Sequence, residues 1–211
     1  MTLTRPATVP YIAAWSGESV PSSPLMYSVA VPGLAYVDEK PDDRAHGVLW
    51  KRCDDAPGRG RPRFGDVHPR RQLAVMRDLG CQVCGQSADE NDDGVLWVLE
   101  DNRGDWAGWP SGLMTTHPPV CLRHAREAMT ACPHLATGCV AVRVGASEPV
   151  AVHGRHFAVD GERIVARGRG VVELDSPRIR WTLGGQLLRS LRECTLVDLG
   201  RPTRGGRPMR A

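Results

Sequence analysis

Two short pairs of metal-capable residues constrain this chain more than anything else in it: Cys81-Gln-Val-Cys84-Gly85 and, well downstream, Cys121-Leu-Arg-His124. Two cysteines at this spacing, followed by glycine, form a knuckle in which both thiolates face one ion. A second pair of the same spacing can close a tetrahedral zinc site. If Leu122 to Ala131 is helical, Cys121 and His124 occupy its first turn, where sulfur and imidazole nitrogen reach a common ion at about 2.0–2.3 Å. Cys132 then lies about three turns further on, roughly 16 Å along the axis, and cannot join that ion. The expected ligands are therefore Cys81, Cys84, Cys121 and His124, with Zn2+ as the cofactor, while Cys132-Pro133-His134 is expected to end the helix.

The remaining cysteines support this reading. Seven of them, Cys53, Cys81, Cys84, Cys121, Cys132, Cys139 and Cys194, are an odd number in a chain whose first residues hold no continuous apolar run of signal-peptide length. A disulfide framework is not expected, and Cys53, Cys132, Cys139 and Cys194 read as reduced thiols of no assigned role. No stretch approaches the roughly 18 apolar residues of a membrane helix, so the expectation is a cytoplasmic protein without a membrane partner. With 211 residues, 41% hydrophobic and 24% charged, the chain can bury a core. Its net charge of +3 is mild and carried almost wholly by arginine, Lys40 and Lys51 being the only lysines. No phosphate-binding glycine loop, dinucleotide fingerprint or nucleophile elbow occurs, so no nucleotide cofactor is expected.

The patterning implies an α+β fold, with short strands and hairpins around a treble-clef-like zinc module, followed by a C-terminal helix and strand. Residues 1–65 read as a β-rich segment with strands at Leu25 to Val31, Gly33 to Val37 and Gly47 to Arg52, then an arginine-bearing loop before residue 66. Residues 66–135 hold a helix from Pro69 to Leu79, with Gly80 as its left-handed cap, and then the zinc module. In that module Val95 to Leu99 supplies the first strand of a hairpin, and Trp106 to Thr116 leads back to the ligand helix. Residues 136–200 open with strands at Cys139 to Val144 and a hairpin around Asp160-Gly161. A helix starting at Ser176-Pro177 and carrying Leu183, Leu187, Leu188 and Leu191 follows, and a strand from Thr195 to Leu199 closes the segment. The basic tail 201–211 lacks apolar periodicity and is expected to be disordered; the segments together are compatible with one compact domain. Asp42-Asp-Arg-Ala-His-Gly-Val-Leu-Trp50 and Asp89-Glu-Asn-Asp-Asp-Gly-Val-Leu-Trp97 share a Gly-Val-Leu-Trp ending, which reads as two similar turns into strands.

Three further constellations carry chemistry by their letters. Asp89, Asn91, Asp93, Gly94 and Glu100 satisfy the calcium-loop pattern, but Trp97 stands where an oxygen ligand is usual, and a turn into a strand explains the same residues. Arg59, Arg61, Arg63, Arg70, Arg71 and Arg77 form the set expected to contact phosphate. His117 is the only spare imidazole near the second ligand pair, hence the sole candidate general base, while His153 and His156 read as surface histidines.

The block from CQVCG through NDDGVLW to HPPVCLRHA and CPHL, together with PYIAAWSGE, AHGVLW and the run from DSPRIRW to TLVDL, resembles a family of uncharacterised actinobacterial and actinophage-associated proteins. Its members end the second pair with cysteine where this chain has His124, a change that keeps zinc ligation, since sites of three cysteines and one histidine are ordinary. The resemblance implies a small cytosolic zinc protein and brings no activity with it. More distantly, a treble clef is the scaffold of His-Asn-His nucleases. Those enzymes place an Asp-His pair after the knuckle and a histidine just after the second pair, where this chain has no Asp-His and has Ala125. The first expectation is thus a zinc-stabilised module that binds nucleic acid or another protein, more plausibly not an enzyme. The second is a degenerate metal-dependent nuclease using His117, and the third a calcium- or redox-responsive regulator.

Overall fold

A computed structural model describes residues 8–29, 32–131, 138–161 and 163–200. The helix end expected at Cys132 to His134 and the tail 201–211 lie outside the described residues. In chain order the elements are β1 (Ala13–Trp15), β2 (Leu25–Ser28), β3 (Gly33–Tyr36), β4 (Arg44–Ala45), β5 (Val48–Trp50), β6 (Pro62–Val67), α1 (Pro69–Arg77), β7 (Glu90–Asn91), β8 (Gly94–Glu100), β9 (Met114–Thr115), α2 (Leu122–Ala131), β10 (Cys139–Asp160), β11 (Arg163–Glu173) and β12 (Thr182–Val197). Short 3₁₀ segments lie at Pro41–Asp43 and Pro177–Trp181. Strands dominate and two α-helices pack on them, an α+β arrangement.

The main sheet runs β4-β5-β12-β10-β8-β7, with β11 also on β10 and β9 also on β12, so it draws strands from the N-terminal, central and C-terminal parts of the sequence. β10 is its spine. It pairs antiparallel with β12 from Ala141↔Val197 to His156↔Thr182, with β8 over Cys139 to Val144, and with β11 over Ala151 to Asp160. β8 is buried on both faces. Val95, Trp97 and Leu99 join Trp109, Val142 and Leu191, while Leu96 and Val98 face Cys81, Val120 and Ala125 beneath α2. The two Gly-Val-Leu-Trp segments form similar units whose turns are offset by one residue: β4–β5 and β7–β8 are tight antiparallel hairpins turning at His46-Gly47 and Asp92-Asp93, and each delivers a wholly buried tryptophan, Trp50 and Trp97. His46 and Gly47 turn the first with φ of 52° and 74°, the left-handed pair that a two-residue hairpin turn requires.

Four expectations are corrected. The helix predicted to carry Leu183, Leu187, Leu188 and Leu191 is absent: Ser176 caps only the 3₁₀ segment, and those leucines lie on β12. Leucines four apart satisfy helical periodicity, but Gly184 and Gly185 weaken a helix by about 1 kcal/mol each. At Gly184 a Cβ would stand 3.2 Å from Trp50, Val48 and Val152, so β5 comes alongside β12 only over a glycine. The N-terminal loop is partly strand, because β6 pairs with β1 and includes Arg63. β8 is the second strand of its hairpin, not the first, and the returning segment places β9 on β12. Finally, the left-handed residue after α1 is Leu79 at φ 52°, not Gly80.

α1 is anchored by polar groups that apolar periodicity does not reveal. His68 is its N-cap: Nδ1 accepts from the Arg71 N–H at 3.3 Å, and Nε2 meets the Asp54 carbonyl at 3.0 Å. Gln72 bonds both backbone groups of Leu187, donating to its carbonyl and accepting from its N–H, each at 2.9 Å. Arg71, 2% exposed, donates to Glu18 at 2.6 and 3.1 Å and to the Ala13 carbonyl at 2.8 Å, and it also pairs with Asp55. Burial pushes the Glu18 carboxyl up, but the bonds from Arg71 and from the Trp15 and Ala56 N–H groups outweigh it, leaving the pKa lowered from 4.5 to about 2. A depressed folded-state value means that this contribution is complete above about pH 4.5 and is lost as the pH falls toward 2. Urea unfolding across that interval is expected to show falling stability. Glu18→Gln, which leaves Asp55 as the one carboxylate on Arg71, is expected to cost about 1–3 kcal/mol at pH 7 and to flatten part of the acid limb. A variant as stable as the parent, with the same pH profile, would contradict this role.

Candidate metal centre

The knuckle begins where α1 ends. Gly80 bridges to Ser87, the Cys81 N–H donates to the Gln86 carbonyl at 2.6 Å, and the Gly85 N–H returns to the Cys81 carbonyl at 2.8 Å. The Val83 N–H donates to Cys81 Sγ at 3.4 Å, which fixes the sulfur's direction within the turn. Gly85 is required twice over. Its φ is +74°, and the Tyr11 ring stands 3.0 Å from where a Cβ would sit. Tyr11 and Ile12 also donate backbone bonds to Val83 and Gln82, so the knuckle is clamped from the N-terminal segment.

The second pair reaches the first through an extended strip. The Pro119 carbonyl accepts from the Gln82 N–H at 3.0 Å, and the Val120 N–H donates to the Leu96 carbonyl at 2.9 Å. Pro118-Pro119 holds this strip extended because proline fixes its own φ and restricts the residue before it. α2 starts immediately after Cys121, with the Ala125 N–H on the Cys121 carbonyl at 2.9 Å, which puts Cys121 and His124 on one face of the first turn.

Cys81, Cys84, Cys121 and His124 each direct one donor atom into a common space, and all four atoms lie within 4.8 Å of one another. His124 Nδ1 is 3.1 Å from Cys121 Sγ and 3.6 Å from Cys81 Sγ. A tetrahedral ion with bonds of about 2.3 Å to sulfur and 2.0–2.1 Å to nitrogen requires sulfur–nitrogen edges of about 3.6 Å. Cys81 and His124 are buried and the other two are half-buried, while His124 Nε2 turns toward Glu127 at 3.8 Å. These residues can hold a metal ion. The soft sulfur-rich set and the four-fold closure suit an ion that holds chain segments together.

A second cluster, which the sequence reading missed, is Glu18, Asp55 and His68. It belongs to the Arg71 network: both carboxylates face the guanidinium and both ring nitrogens of His68 are engaged, so its donors are already committed. The residues just before α1, His68-Pro69 as a cap and first turn, were the available signal.

The other sequence candidates are not gathered into sites. Asp89 pairs with Arg143 from β10, Asn91 accepts from the Asp93 N–H at the hairpin turn, and Glu100 lies at the far end of β8, about 20 Å of strand from Gly94. Trp97, at the ninth position of the calcium pattern, is buried and donates its indole N–H to the His117 carbonyl at 3.0 Å. His117 is exposed, and its N–H donates to Thr115 Oγ1 at 3.0 Å; it is not one of the four converging donors. Among the arginines expected to contact phosphate, Arg71 is buried and cannot do so. Arg70 faces Asp42 and Asp43, Arg63 and Arg77 meet Asp66 and Asp78 in exposed pairs, and Arg59 and Arg61 are exposed on the loop before β6 with no such pair among the described residues. His156 bonds Thr182 Oγ1 at 3.3 Å, and burial lowers its pKa. Burial raises the Cys53 and Cys194 thiols, which keeps them protonated and unreactive. Among the described residues, no helix is long and apolar enough to cross a membrane.

Millimolar calcium is expected to leave the melting temperature unchanged; a calcium-dependent rise abolished by Glu100→Ala would show that Asp89 to Glu100 closes into a loop after all. Compared with protein-family models, curated proteins and solved structures, the chain matches none.

Proposed function

We propose that Cys81, Cys84, Cys121 and His124 bind one zinc ion, and that the ion staples a treble-clef-like module within a protein whose task is binding rather than catalysis. The observation that carries the zinc reading is the convergence of three sulfurs and one imidazole nitrogen within 4.8 Å, the nitrogen standing 3.6 Å from Cys81 Sγ, the edge of a zinc tetrahedron, and closer, at 3.1 Å, to Cys121 Sγ. The order of elements supports the treble clef: knuckle, β7–β8 hairpin, extended return, then a helix whose first turn holds the last two ligands.

Four protein donors fill a tetrahedron and leave no position for water or substrate, the arrangement of a structural ion. The imidazole fits the same role. With Nδ1 on the metal, the Nε2 proton turns toward Glu127, which Arg123 holds by a bond to its other oxygen at 3.0 Å. With His124 in place of a fourth thiolate, the site is one charge less negative than a four-cysteine site would be.

Native mass spectrometry of the purified chain is expected to show one zinc per molecule. Cys81→Ser and His124→Ala are expected to lose or weaken it, and His124→Cys to retain it as a site of four thiolates. Removing zinc with a chelator is expected to lower stability by several kcal/mol, read as a shifted urea midpoint. The His124→Cys rescue separates ligand loss from misfolding, and a wild-type chain that binds no zinc would overturn the proposal.

A further inference from the structure

Of the arginines that the sequence pattern singles out, four have carboxylate partners and Arg59 and Arg61 do not; a larger group without such partners lies elsewhere. Among the described residues, Arg155 on β10, Arg163 and Arg169 on β11, and Arg178 and Arg180 on the 3₁₀ segment have no ion-pair partner within 4.0 Å. Arg167, between them, has only Asp160 at 3.4 Å, and both side chains are more than half exposed. Asp160, Glu173 and Asp175 are the described acidic residues on this stretch, so arginine predominates.

An open hollow of about 340 Å³ lies on this surface, lined by His156, Phe157, Val159, Arg167, Arg178 and Trp181. Across Val159 and Trp181 it continues into a second hollow of about 600 Å³ that reaches Met26, Tyr27 and Ile164. The Trp181 and Tyr27 rings stack with centroids 5.7 Å apart and planes 2° from parallel. Tyr27 is 43% exposed and carries the stack to the surface, beside Met26 and Val159, which are similarly exposed. The aromatic step, the apolar floor and the guanidinium groups thus share one shallow groove.

An exposed tyrosine ring stacked on a half-buried tryptophan, flanked by guanidinium groups of which Arg167 has only an exposed pair with Asp160, matches a polyanion whose own flat rings are accessible. We infer that this groove binds single-stranded nucleic acid, with a base stacked on the Tyr27–Trp181 pair and neighbouring phosphates held by Arg167 and Arg178. A duplex offers the same phosphates but keeps its base faces stacked inside. An acidic peptide would satisfy the arginines without using the ring stack. The groove needs only the described strands around it, while the reading of the chain as a binding module supplies its context.

The test is fluorescence anisotropy of the zinc-loaded full chain with a labelled oligothymidylate and an oligouridylate of equal length, a duplex and an acidic peptide, across a salt series. The single strands are expected to bind best, with affinity falling as salt rises. Tyr27→Ala is expected to weaken binding about 5- to 100-fold with little change in salt dependence, as for loss of one stacked base. Arg167→Ala with Arg178→Ala is expected to reduce the slope of log affinity against log salt by about 1.4, two phosphate contacts' worth. All three substituted residues contact solvent, and unchanged zinc content and circular dichroism serve as the folding check. Preference for the duplex or the peptide, or affinity that ignores these substitutions but is lost in Arg59→Ala with Arg61→Ala, would overturn the groove while leaving the zinc-stabilised module intact. Absence of zinc with groove-dependent binding preserved would overturn the module reading and leave the groove standing.

Discussion

The structure depends first on the antiparallel pairing of β10 with β12. That pairing runs nearly the whole length of both strands, and the free edge of β10 is then used twice: by β8 over its first third and by β11 over its second half. One strand thereby holds the ligand-bearing module and the arginine-rich hairpin in fixed relation. α1 is locked to the same pair through Gln72 on Leu187 and through Arg189, which donates to the Met76 carbonyl at 2.9 Å. The β10–β12 ladder buries Val142, Val152, Leu187, Leu188 and Leu191, so hydrophobic burial and backbone bonding reinforce each other along it.

The four proposed metal ligands lie where this sheet gives least help. The layer between β8 and α2 has Leu96, Val98, Val120, Ala125 and Ala141 at its buried centre, with Leu122, Met129, Val197 and Leu199 only partly buried around them. α2 is ten residues long and carries no acidic residue in its first turn, too short to persist in water by itself. The proposed ion would cross-link its first turn to a knuckle some forty residues earlier and add to this packing. The same logic explains why the backbone around the knuckle is so heavily tied, to residues 11–12 on one side and 119–120 on the other. An ion with fixed bond lengths needs donors held close to their final positions before it arrives.

Legibility in the sequence followed the range of the interaction. The two ligand pairs are local spacings on local turns, so Cys81, Cys84, Cys121 and His124 can be grouped from their spacing alone, as can α1, the β10–β11 hairpin and the shared Gly-Val-Leu-Trp turns. The helix expected over Leu183 to Leu191 failed because leucines four apart fit a helix as well as a bulged strand, and the partner that decides, β10, lies elsewhere in the chain. Arg71 read as a surface cation because its neutralising partner, Glu18, is 53 residues away. The residues of the calcium pattern are likewise arranged by distant partners: Asp89 bonds Arg143, 54 residues away, and β8 carries Glu100 away from the turn. Tyr27 and Trp181 meet only because β2 and the 3₁₀ segment before β12 share a surface, and no local signal announces that.

Zinc K-edge X-ray absorption on the purified full chain examines the metal centre most directly, because it counts the donor atoms around the ion. The expected spectrum fits three sulfurs at about 2.3 Å and one nitrogen at about 2.0–2.1 Å, with no oxygen bound, and shifts to four sulfurs in His124→Cys. A site with bound water, a sulfur count other than three, or a donor set unchanged by His124→Cys would contradict the assignment of Cys81, Cys84, Cys121 and His124 as a closed structural zinc site.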